Sequence, residues 1–121
     1  MYAENEYATY ELLDGVLHVH YKDVILDLPA AMNIVKTRLT LQEGQFFPVL
    51  CDIRKIKEIN KAARSYLSIE GSTLIKAVAF IVDTPVSIML SEFYLKTSKP
   101  PIPTKSFVNI TEALAFLNQY K

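Results

Sequence analysis

Two stretches of the chain are apolar on both faces that a strand would present: Phe47-Pro48-Val49-Leu50-Cys51 and Ala77-Val78-Ala79-Phe80-Ile81-Val82. Strands of this kind need cover on both sides. Parallel sheets flanked by helices provide it, whereas antiparallel sheets commonly leave one face wet. The rest of the chain must therefore supply helices between the strands. Pro48 belongs at the start of its strand, where a lost ladder bond is tolerated.

The intervening segments meet that demand. Asp27 is placed to cap a helix from about Leu28 to Leu41, with Pro29 in the first turn, where its missing N–H is not needed. Leu28, Ala31, Met32, Val35 and Leu39 form its apolar stripe, Asn33, Lys36, Thr37 and Thr40 its wet side, and Gly44 its stop. Asn60 caps a second helix through about Glu70, with Ala63, Tyr66 and Leu67 on neighbouring turns and Gly71 at its end. Thr84 followed by Pro85 opens a third, which places Val86, Met89, Leu90, Phe93 and Tyr94 at helical spacing as core candidates. Lys99-Pro100-Pro101-Ile102-Pro103-Thr104 is a stiff connection. Ser106-Phe107-Val108 is a short strand. Asn109 and Glu112 have capping-box spacing for a last helix that buries Ala113, Leu114, Leu117 and Tyr120.

Upstream, Tyr7 to Leu13 and Val16 to Lys22 are joined by Asp14-Gly15, a strong short hairpin signal. In the second run Leu17, Val19 and Tyr21 share one face, and His18, His20 and Lys22 the other. Asp52 to Ile59 is a polar connection with spaced isoleucines. The order β-β-α-β-α-β-α-β-α predicts one α/β domain over 1–121: a mostly parallel five-stranded sheet behind an N-terminal hairpin. Right-handed crossovers put the helices mainly on one face. The other face is then less covered, and a homodimer or a lipid-like ligand is expected against it.

Composition narrows the function classes. With 121 residues there is one domain to fill. Thirteen Lys and Arg balance thirteen Asp and Glu, which argues against nucleic acid as a partner. One cysteine excludes an internal disulfide framework or a cysteine-rich zinc site, and three glycines exclude the usual phosphate loops. No apolar run is long enough to span a membrane, and the acidic start lacks a basic-then-apolar leader, so a reducing cytoplasm is the expected setting. The serines lack a nucleophile-elbow context, Asp27, Asp52 and Asp83 sit at element ends where capping explains them, and Cys51 reads as a buried, inert thiol. His18 and His20 could begin a metal site with Glu11 across the hairpin, but a wet strand face accounts for them more simply. Neither a catalytic constellation nor a cofactor is expected.

One polar feature stands out. Arg54, Lys55, Lys57, Lys61 and Arg64 crowd eleven positions of a chain with no net charge. They flank the C-terminal end of the third strand and the start of the second helix, where ligands of open α/β sheets bind. The candidate site is the rim formed by Asp52, Arg54, Asn60, Lys61, Arg64 and Thr84. Arg54 and Arg64 would contact an anion, and Asp52 would orient one of them. The plain alternative is a solvated loop in which Arg64 pairs with Asp52 or Glu58.

The stretch Val49-Leu50-Cys51-Asp52-Ile53-Arg54-Lys55-Ile56-Lys57-Glu58-Ile59-Asn60-Lys61-Ala62-Ala63, with the order of elements, resembles the SpoIIAA-like fold of the STAS domains, the anti-sigma-factor antagonists and their relatives. Leu50-Cys51-Asp52-Ile53-Arg54, Ala63-Arg64, Phe93-Tyr94-Leu95-Lys96, Pro103-Thr104-Lys105-Ser106-Phe107 and Glu112-Ala113-Leu114 are similar to an uncharacterised bacterial branch of that fold. The resemblance implies a binding domain rather than an enzyme. The antagonists' phosphorylated serine and the aspartate before it fall on Lys61 and Asn60, so the phospho-switch is not expected. Three functions stay open: binding of an anionic group or acidic protein partner at the rim, carriage of a hydrophobic or lipid-like molecule, and self-association.

Overall fold

A computed structural model describes all of residues 1–121. The hairpin forms where expected. β2 (Ala8–Leu13) and β3 (Val16–Tyr21) pair antiparallel from Leu13 opposite Val16, and Asp14 and Gly15 take φ values of 49° and 76°. Two left-handed residues in a row give the turn whose twist matches that of the flanking strands. From β3 the sheet grows in one direction through parallel neighbours: β5 (Phe47–Asp52), β7 (Ile75–Ile81) and β8 (Thr104–Phe107). β8 begins two residues before the predicted Ser106.

The sheet has six strands, not five. β1 (Tyr2–Glu4) adds antiparallel to the outer edge of β2. Asp52 to Ile59 is also more than a polar connection. Ile53 and Ile56 are buried, and β6 (Glu58–Ile59) pairs in parallel with β4 (Ile25–Leu26) in a small second sheet.

Four helices complete the chain: α1 (Leu28–Gln42), α2 (Lys61–Ile69), α3 (Pro85–Ser98) and α4 (Ile110–Asn118). Each starts where a side-chain oxygen takes an otherwise orphaned backbone N–H. Asp27 accepts from Ala30 at 2.9 Å, Asn60 from Ala63 at 2.9 Å, Thr84 from Ser87 at 3.0 Å and Asn109 from Glu112 at 3.1 Å. The reciprocal capping box lies at Thr84 and Ser87 rather than at Asn109, where only the asparagine half forms. α2 runs into a short 3-10 turn, Glu70–Ser72, instead of stopping at Gly71.

α1 ends on Glu43, exposed and left-handed at φ 50°. Only glycine holds that conformation without a Cβ penalty. Glu43→Gly is therefore expected to raise the unfolding free energy by about 0.5–1 kcal/mol, read from urea denaturation; a lower midpoint would contradict it.

Two cores sandwich the sheet. The larger joins Leu17, Val19, Val49 and Val78 to Ala31 and Ile34 of α1 and Ala63 of α2, with Leu90 of α3 at its margin. The smaller packs Ala113 and Leu117 of α4 against Val16, Leu50, Ala77, Ala79 and Ile81. The second face is thus covered by α4, which removes the reason for expecting a second copy or a lipid there. The handedness rule governs only a helix with a parallel strand on either side. α1, α2 and α3 satisfy that description. α4 does not link β8 to another strand of this sheet, so the rule does not set its side, and it packs on the opposite face.

Two helices are rotated from their predicted settings. α1 buries Ala30, Ala31, Ile34, Val35, Arg38 and Gln42, and leaves Met32 exposed. α3 buries Ser87, Ser91 and Tyr94, and leaves Val86, Met89 and Phe93 outside. The buried Ser87 and Ser91 hydroxyls are satisfied locally, on Thr84 O and Ile88 O, so burying them leaves no donor unpaired.

Candidate functional site

The six rim residues fall into two groups on opposite faces of the sheet. Asp52 ends β5 two residues after Leu50 and so shares the α4 face. Its carboxylate grips Arg54, Nε to Oδ1 at 2.9 Å and Nη2 to Oδ2 at 2.7 Å, and also accepts the Arg54 backbone N–H at 3.1 Å. His20, beside Asp52 in the neighbouring strand, brings Nδ1 to within 3.4 Å of the same carboxylate, and its ring stacks on His18. Arg54 reaches on to Asp83 at 3.5 Å. Burial alone would raise the Asp52 pKa; the bonds from His20 and Arg54 outweigh it and hold the carboxyl well below the usual carboxylate range. The His18 pKa is lowered as well, by burial and then by the neighbouring His20, and for a histidine this disfavours the charged form. No three His, Cys, Asp or Glu side chains gather closely enough to hold a metal ion.

Asp52 thus orients an arginine as the sequence suggested, but Arg54 meets two carboxylates. A guanidinium already neutralised in this way has little left for an external anion. Asn60 and Thr84 spend their side-chain oxygens on the caps of α2 and α3. Arg64 lies on the other face. It donates to Ile59 O at 2.7 Å, and its guanidinium sits 4.6 Å from the Phe93 ring centroid. It pairs with neither Asp52 nor Glu58. Lys61 and Arg64 instead line a groove of about 280 Å³ between α2 and α3, with Ser65, Ser68, Thr97 and Ser98.

The site that sequence reasoning missed lies inside. Between the sheet and helices α1, α2 and α3 is a chamber with a free volume of about 80 Å³, and 17 of the 23 residues around it are hydrophobic. Val19, Val49, Val78 and Phe80 make its sheet wall, Ile34 and Leu90 part of its helix wall, and Pro100 and Ile102 close one edge. The stiff proline connection therefore shapes a cavity as well as joining elements. Cys51 also faces it, and burial pushes that thiol up to about 12, so it is protonated and unreactive at neutral pH. Tyr21 and Tyr94 line it too, with phenols raised by burial.

One charged group belongs to this wall. Arg38 is 4% exposed. Its Nη1 donates to Gln42 Oε1 and, at 3.0 Å, to Thr73 O; its Nη2 donates to Gly71 O at 3.0 Å. Gln42, fully buried, spends its amide on Gln45 O and Leu74 O. Together the two side chains hold the 71–74 turn, whose Leu74 is left-handed at φ 61°. Burial lowers the Arg38 pKa from its ordinary value. The signal was present in the spacing, since Ile34, Arg38 and Gln42 lie four apart on one helix line. An arginine on an amphipathic helix nevertheless reads as solvent-facing until packing shows otherwise.

A hairpin-led, mostly parallel sheet with three crossover helices on one face and the last helix on the other is the arrangement of a SpoIIAA-like fold. A family model described as a domain of unknown function, DUF7793, matches residues 10–121, and the chain belongs to that family. Its structure is similar to the crystal structure of an uncharacterised DUF3478-family protein with a SpoIIAA-like fold from Shewanella loihica PV-4. The TM-score is 0.66 at 15% identity, over 95% of this chain and 98% of that one. At that identity the likeness concerns the fold. No curated protein matches the chain.

Proposed function

We propose that the protein is a non-enzymatic binding domain that takes an apolar small molecule into the chamber between its sheet and α1, α2 and α3. The observation that carries this reading is the chamber itself. Interiors normally pack to crystal-like density. A free space of about 80 Å³ lined mostly by hydrocarbon leaves those side chains short of contacts on one side. An apolar occupant restores those contacts, and the surrounding wall offers it mostly hydrocarbon.

Native mass spectrometry after mild extraction tests the proposal. The wild type is expected to carry a small organic mass that denaturation releases. Val78→Leu combined with Val49→Ile, which fills the chamber from the sheet side, should lose that mass and melt at a higher temperature. A wild type that is empty and gains no thermal stability from small aliphatic ligands overturns the reading.

The groove between α2 and α3 favours a second reading, capture of an anionic group by Lys61 and Arg64. Hydroxyls surround those cations, and no carboxylate lines the groove. This keeps two of the six rim residues as anion contacts and gives Asp52, Arg54, Asn60 and Thr84 structural roles.

A further inference from the structure

We propose that Arg38 anchors the chamber's occupant: it binds the carboxylate of a short-chain monocarboxylic acid whose apolar tail lies against Val49, Val78 and Phe80. This rests on the reading of the chamber as a binding site and names the ligand class.

A guanidinium has five N–H donors and no acceptor. Gln42, Thr73 and Gly71 take three of them, two on Nη1 and one on Nη2. One donor on Nε and one on Nη2 have no acceptor in the protein. Free donors on neighbouring nitrogens are what a carboxylate engages with its two oxygens. Charge points the same way as geometry. Arg38 takes part in none of the molecule's ion pairs. Its three partners are neutral, so a positive charge stands 96% buried in a largely hydrocarbon wall with no counter-ion. Buried charges are ordinarily paired, because desolvation is costly. Gln42 holds Leu74 O, and after Arg38 has met the carbonyls of Gly71 and Thr73 two of its donors are still left over. An anionic ligand would supply the missing partner, and the chamber beside Arg38 is the space open to it.

Size sets the tail. An engineered apolar cavity of about 150 Å³ takes benzene. The free volume here is about half of that, which suits a tail of roughly three or four carbons. The tail excludes inorganic anions as good ligands, and the charge excludes neutral hydrocarbons.

Isothermal titration of the wild-type protein with butanoate, butanamide, butan-1-ol and inorganic phosphate tests both parts. Butanoate is expected to bind at least tenfold more tightly than butanamide or butanol, and phosphate not at all. Arg38→Met should reduce the preference for butanoate over butanamide to within about twofold, while Arg38→Lys retains part of it. Circular dichroism establishes that the variants are folded. The wild-type comparison stands even if they are not. Equal affinity for butanoate and butanamide overturns the role of Arg38 and leaves the chamber as a neutral apolar site. Phosphate binding as tight as butanoate binding overturns the tail. If no probe binds, the Arg38 assignment and the chamber reading both fall.

Discussion

Leu117→Ala is expected to lower the unfolding free energy by about 2–5 kcal/mol, the range for removing a large aliphatic side chain from a packed interior. Leu117 is fully buried and belongs to the smaller core, where α4 meets Val16, Leu50, Ala79 and Ile81. Ala113, the other fully packed contact of α4 in that core, is too small to hold the helix alone. The loss should therefore be local before it is global. Hydrogen exchange should accelerate over Ile110–Asn118 while β5 and β7 remain protected. A sheet face lined by Leu50, Ala77, Ala79 and Ile81 would then be open to solvent, and sedimentation should show concentration-dependent association. A variant that loses less than about 1 kcal/mol and exchanges like the wild type would mean that α4 is not the cover of that face.

The expectation of an open face came from applying the crossover rule to every helix alike. Local signals located the elements well. Asp27, Asn60, Thr84 and Asn109 each cap the helix they precede, because capping depends on one side chain and the N–H three residues on. Asp14-Gly15 turns the hairpin for an equally local reason. The side on which α4 lies is not local. It depends on tertiary packing, in particular on the small side chains of Ala77 and Ala79, which let the helix approach. β1 and the β4–β6 pair were hidden because strands of two or three residues carry too few positions to show a period. The burial of α3 misled in the opposite sense. Of the five apolar residues at helical spacing, Tyr94 is buried and Leu90 packs at the core margin, whereas Val86, Met89 and Phe93 stay outside and Ser87 and Ser91 share the inner stripe.

The candidate site was legible in composition more than in position. The basic run is visible in the sequence, and within it Asp52 bonds Arg54, two residues on. Asp83, which completes the neutralisation of Arg54, is 29 residues away and arrives through the neighbouring strand. Arg64 points to the groove on the other side because α2 lies on the face opposite the Asp52 side chain. A chamber has no linear pattern at all. It exists because the sheet, three helices and a proline connection enclose a volume that none of them fills. The burial of Arg38 depends on carbonyls 33 and 35 residues further along the chain, which no local pattern announces.

Asp52→Asn is expected to destabilise the fold by about 1–2 kcal/mol at neutral pH, with the loss disappearing in acid. The Asp52 side chain is 13% exposed and accepts three bonds from Arg54, so its charge is sheltered. Arg54 is 46% exposed, and solvent screening keeps the effect below that of a fully buried pair. Because the folded pKa lies below that of the unfolded chain, the stabilisation is fully present above the ordinary carboxylate range. It declines as pH falls from about 4 toward the folded value, since protons bind the unfolded chain first. Urea unfolding of wild type and variant at several pH values between 7 and 2.5 should therefore show two curves that run apart at neutral pH and converge in acid. His18 adds acid sensitivity to both curves, because its lowered pKa makes the unfolded state the better proton acceptor. A gap that stays constant down to pH 2.5 would mean that Asp52 acts through shape rather than charge. No gap at pH 7 would mean that the clasp holding Arg54 adds nothing to the fold, and would release that arginine for the anion-binding role it has in the sequence reading.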